Sequence, residues 1–70
     1  MYVTALSNCN HAVDGGRSVM AFQQGQTYLV DDAVGSSMVS LGYAEENLAP
    51  GAYYQLLGTD VLGRFVWGLA

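Results

Sequence analysis

The chain has 70 residues and a mass of 7.5 kDa, with 51% hydrophobic and 11% charged residues, one cysteine, no lysine and a net charge of −4. One domain is the limit for this length, no stretch reaches the ~18–20 consecutive apolar residues of a membrane span, and Cys9 with His11 is too small a set for a disulfide or a structural zinc site. The only basic side chains, Arg17 and Arg64, lack the positive footprint that phosphate contacts require, which argues against a nucleic-acid role.

A chain of this mass exposes roughly 4,200 Å² when folded and roughly 11,000 Å² when extended, so folding hides only about 60% of its surface. The apolar part of that burial is worth about 100 kcal/mol, and ordering the residues costs about the same. Without a disulfide or metal, partner subunits are the expected source of additional stability.

Tyr2 to Leu6 is rich in β-formers and predicts a strand with Tyr2, Thr4 and Leu6 on one face. Ser7 to Gly16 reads as a loop, because Asn, Ser, His and Asp with Gly15-Gly16 favour turns. Leu6-Ser7-Asn8-Cys9 has the outline of a lipoprotein cleavage site, but no basic residue precedes it and it is not expected to act as one. Ser18 to Phe22 predicts a second strand, and Gln23-Gln24-Gly25-Gln26 has the spacing of a hairpin turn to a third, Thr27 to Val30.

Asp31-Asp32 supplies an N-cap carboxylate, and Val34, Met38 and Leu41 recur at helical spacing, so a short helix is expected at about 32–41. Gly42 fits the left-handed position after its end. Tyr43 to Leu48 predicts a last short strand, and Pro50-Gly51 then marks a joint between a β-rich domain, 1–48, and a different segment, 49–70. Gly58, Gly63 and Gly68 disfavour helix in that segment, so Tyr53–Leu57 and Val61–Trp67 are expected to pair across Gly58-Thr59-Asp60. The fold class that follows is mainly β: a small SH3-like, partly open barrel or sheet with one short helix and a C-terminal apolar hairpin or arm.

Catalytic constellations are thin. Cys9, His11 and Asp14 share one segment, but activating a thiol takes a positive neighbour or a helix N-terminus, His11 two residues along need not face it, and a metal would need a further ligand, so an incidental thiol in a loop is the expected reading. Asp31-Asp32 is accounted for by capping and Glu45-Glu46 by a solvated strand end, while Gly15-Gly16-Arg17 lacks the spacing and the lysine of a phosphate loop. The chain is therefore read as no enzyme, with no metal and no cofactor. The informative stretch is 53–69, in which Tyr53, Tyr54, Leu57, Leu62, Arg64, Phe65, Trp67 and Leu69 have the aromatic, apolar and arginine character of interface cores. Completing the protein's own core is the competing use of these residues, and a hairpin can serve both.

Residues 1–46 carry Met-Tyr-Val-Thr-Ala-Leu, then Gln-Gly-Gln-Thr-Tyr-Leu-Val-Asp, Ala33, Met38-Val39 and Gly42-Tyr43-Ala44-Glu45. In that order they resemble small tailed-phage head and head-tail proteins, in which a "Lys-Gly-Asp/Glu-x-aromatic-x-Val" hairpin precedes a helix ending in "Leu-x-x-Gly-x-Ala". Gln24 stands in place of the lysine and Gln26 in place of the acidic residue. The resemblance implies a bacteriophage virion structural protein, a capsid decoration or cement subunit or a head-tail component. Its partners would be the major capsid protein or copies of itself, with no nucleic acid or membrane, and it would reside in the virion after assembly in the bacterial cytoplasm. The alternative expectation is an adaptor holding an extended peptide in an aromatic groove of Tyr2, Tyr28, Tyr43 and Trp67.

Overall fold

The computed structural model describes residues 1–13, 18–62 and 65–70. Seven strands and one helix follow in the order β1 (Tyr2–Ala5), β2 (Cys9–Val13), β3 (Ser18–Phe22), β4 (Thr27–Leu29), α1 (Asp32–Ser40), β5 (Ala44–Glu46), β6 (Tyr54–Thr59) and β7 (Phe65–Leu69). They form a five-stranded sheet, β5-β1-β4-β6-β7, and a two-stranded sheet, β2-β3. The fold is mainly β with one short helix, and the sheets do not close into a barrel.

β1 lies at the centre of the larger sheet's first half because it can bond on both edges. It pairs antiparallel with β4, Val3 opposite Tyr28, and with β5, Ala5 opposite Ala44. Val3, Ala5, Tyr28 and Ala44 are buried on one face. Tyr2, Thr4 and Thr27 take the other, where the Thr4 and Thr27 hydroxyls bond at 2.8 Å. β4 then pairs parallel with β6 at Tyr28 and Tyr54, so the C-terminal hairpin continues the sheet begun by residues 1–48.

The segment read as a loop contains β2, and this is a correction. Cys9, His11 and Val13 are half-buried and alternate with exposed Asn10 and Ala12, a strand pattern written in polar residues. β2 pairs with β3, Cys9 opposite Phe22 and His11 opposite Met20. The expected β3–β4 hairpin is accordingly absent: β3 belongs to the small sheet and β4 to the large one. Gln23 to Gln26 still forms a turn, closed by the Gln26 N–H donating to the Gln23 carbonyl at 3.1 Å, but it carries the chain from one sheet to the other. Gly25 takes φ 84° there, its N–H donates to the Ala5 carbonyl, and the Ala5 N–H donates to the Gln26 carbonyl at 3.0 Å. The Tyr28 hydroxyl accepts from the Gln23 N–H at 2.8 Å, which pins the crossing to the core.

α1 lies against β5 and β1 and inserts the fully buried Met38 between the layers. Its end has the full Schellman pattern: the Tyr43 N–H donates to the Met38 carbonyl at 2.9 Å and the Gly42 N–H to the Val39 carbonyl at 3.1 Å. Gly42 sits at φ 80° and a Cβ there would meet nothing within 4 Å. Gly42→Ala therefore bears only the left-handed backbone penalty, about 1–2 kcal/mol, and should lower Tm by about 4–8 °C per kcal/mol lost in a thermal melt. At the other face of the helix, Met1 lies so close to Gly35 that a Cβ would overlap its sulfur. The core as a whole comprises Val3, Ala5, Met20, Phe22, Tyr28, Val30, Met38 and Ala44, contributed by both sheets and the helix.

Candidate functional site

The C-terminal hairpin forms as the alternation of its apolar residues requires, with its turn displaced. Pairing runs from Tyr54 opposite Leu69 to Thr59 opposite Phe65, so the strands extend through Gly58 and Thr59 and the chain reverses after them. This corrects the expected turn at Gly58-Thr59-Asp60. The reason is a bulge at Leu57, where the register shifts between Leu56 and Gly58. Gly58 reaches φ 139°, a conformation a side chain would resist. Leu57 lies flat over Gly68, and any side chain at 68 would collide with it.

By strand alternation Tyr54, Leu56, Trp67 and Leu69 share the face that carries the core, and Leu57 and Val66 the opposite one. Trp67 packs on Phe22 and Tyr28 with ring centroids at 5.7 and 5.1 Å, and Tyr54 stacks on Tyr28 at 5.5 Å. The Trp67 indole N–H is buried without an acceptor among the described residues. Tyr53, just before β6, meets Tyr2 edge-on at 4.8 Å. The Tyr53 hydroxyl holds the Tyr2 phenol above its ordinary pKa, first by hydrogen bonding and then by charge repulsion.

The predicted site residues thus divide in two. Tyr53, Tyr54 and Trp67 are half-buried and tie the hairpin to the sheet, whereas Leu57, Leu62 and Leu69 are 65%, 73% and 65% exposed. Arg64 lies outside the described residues, as does the side chain of Phe65. Leu56, Val61 and Val66 belong to the same apolar run and are exposed in the same hairpin. The large sheet ends in two edges of different character. β5 carries exposed Glu45 and Glu46, and acidic side chains on an edge discourage further pairing. β7 carries Val66, Trp67, Gly68 and Leu69, with no charge, proline or bulge of its own to blunt it.

The chemistry weighed from sequence is placed as follows. Cys9 and His11 share the half-buried face of β2, and Asp14 and the Gly15-Gly16-Arg17 segment lie outside the described residues. His11 Nδ1 faces the Ala12 carbonyl at 2.8 Å and Nε2 the Ser37 hydroxyl at 3.2 Å. If Nδ1 donates, Nε2 accepts from Ser37 and ties β2 to α1. No cluster of three metal-ligating side chains occurs among the described residues. Asp31 occupies the N-cap position of α1 without a side-chain capping bond, and Asp32 opens the first turn. Tyr28 is 3% exposed, so Tyr2, Tyr28, Tyr43 and Trp67 do not line one open groove; Tyr43 instead faces His11 at 6.4 Å. No described helix is long and apolar enough to cross a membrane. Comparison with family models, with curated proteins and with solved structures finds no match in any of the three.

Proposed function

We propose that the protein is a non-enzymatic structural subunit that works by strand pairing and apolar contact through its C-terminal hairpin. The observation that carries this reading is the open β7 edge flanked by exposed Leu57, Leu62 and Leu69. An unblunted edge presents unpaired N–H and C=O groups to a partner strand, and clustered exposed apolar side chains add burial on contact. The acidic opposite edge directs pairing to β7.

The resemblance of residues 1–46 to tailed-phage modules supports a more specific role, a capsid decoration or cement subunit or a head-tail component. In that role the partners are the major capsid protein or further copies of the chain, and its place is the virion. Segment 49–70 then acts as the assembly element while Trp67 anchors it to its own sheet.

Sedimentation velocity over a wide concentration range, alone and mixed with phage capsid or tail shells, tests the proposal. Self-association or shell binding is the expected result. Leu69→Lys, which places a charge on the β7 edge as natural edge strands do, should abolish it while leaving the circular dichroism spectrum unchanged. A monodisperse monomer at every concentration, without affinity for shells, rejects the reading.

A further inference from the structure

A cleft of about 520 Å³ opens between the small sheet, the start of α1 and the β6–β7 end of the large sheet. Its size falls within the ~300–1,000 Å³ typical of small-molecule sites. Val13, Met20, Val34 and Leu56 give it apolar walls, Trp67 supplies an aromatic wall, and Asp31 is the one charged residue that lines it among the described residues. No hydrogen bond or ion pair engages the Asp31 carboxylate among the described residues, and although Asp31 stands at the N-cap of α1 its side chain does not cap the helix. A carboxylate at a helix start is normally used by that helix. Here it is left available beside an aromatic and aliphatic cavity.

We propose that this cleft binds a small organic cation with an apolar body, an amphipathic amine. The hydrophobic part fills the space between Val13, Met20, Val34 and Leu56, and the ammonium group lies between the Asp31 carboxylate and the Trp67 ring. Carboxylate attraction and cation–π attraction favour the same charge there. The chain's net charge of −4 disfavours an anion of the same shape. The cleft shares Trp67 with β7 but uses that strand's core-facing side chain and not the backbone groups of its edge, so the inference does not rest on assembly.

Trp67 is the only tryptophan, so its fluorescence reports the cleft directly. Titration with phenethylammonium should give a saturable change, and the near-isosteric phenylpropionate and phenethyl alcohol should bind at least about fivefold more weakly, the upper range for an exposed ion pair. Asp31→Asn should bring phenethylammonium down to the level of the alcohol. Asn is as good an N-cap residue as Asp, so the helix start is preserved. Glu45→Gln removes the same charge on the distant β5 edge and should leave binding unchanged. Equal binding of the three probes to the unaltered protein, no saturable response to phenethylammonium, or equal losses in Asp31→Asn and Glu45→Gln would each overturn the proposal.

Discussion

Phe22→Ala is expected to destabilise the protein by about 3–5 kcal/mol, the range for truncating a buried aromatic ring. Phe22 is 1% exposed, the largest of the fully buried side chains. It stands where the two sheets meet, with its ring 4.8 Å from Tyr28 and 5.7 Å from Trp67. Together with the Tyr28–Trp67 contact at 5.1 Å, these make a mutual three-ring cluster that links β3, β4 and β7. At about 0.05–0.15 kcal/mol per residue, a chain of this length has roughly 4–10 kcal/mol to lose. Urea titration should therefore find that Phe22→Ala has lost about a third or more of its stability, while Phe22→Leu keeps a transition nearer the original midpoint. A loss below about 1 kcal/mol for the alanine variant contradicts the two-sheet core.

Trp67→Ala should cost about 2–3 kcal/mol, less than for a fully buried aromatic because the side chain is only partly buried. Trp67→Phe should cost under about 1.5 kcal/mol, since the ring contacts with Phe22 and Tyr28 are kept in part. It also removes a buried N–H that has no acceptor among the described residues, a group that is itself unfavourable by about 1–3 kcal/mol. Equilibrium unfolding of the two variants measures the difference. If phenylalanine were as damaging as alanine, the indole N–H would have to make a bond that is absent among the described residues.

Much of the fold was legible locally. β1, β3, β4, α1 and β5 follow from alternation, helical spacing and the Gly42 stop, because each of those signals lies within a few residues. Pairing was not legible in the same way. Gln23 to Gln26 has hairpin length, but which strand β3 joins is decided by Phe22 and Met20 facing Cys9 and His11 across the small sheet. β2 itself was hidden because its half-buried positions are Cys9, His11 and Val13, two of them polar or weakly apolar; His11 is accommodated by its bonds to Ala12 and Ser37. The hairpin turn moved because a bulge at Leu57 adds a residue to β6, and nothing in the sequence separates a glycine in a bulge from one in a turn.

The site was half legible. An apolar run beyond Pro50-Gly51 announces a surface that must be covered, but the division between anchoring Trp67 and exposed Leu69 depends on which strand face meets Phe22. Asp31 illustrates the reverse. In the sequence it is a helix cap, and only the cleft beside it and the missing capping bond set it apart.

Assembly through β7 is the centre of this account, and amide hydrogen exchange reads it directly. Alternate N–H groups of β7 face away from β6 in the isolated chain. Under conditions where the protein self-associates or is bound to shells, those amides should become slow to exchange, with β5 amides unchanged. Unaltered β7 exchange in the associated state, or protection at β5 in its place, would contradict the account.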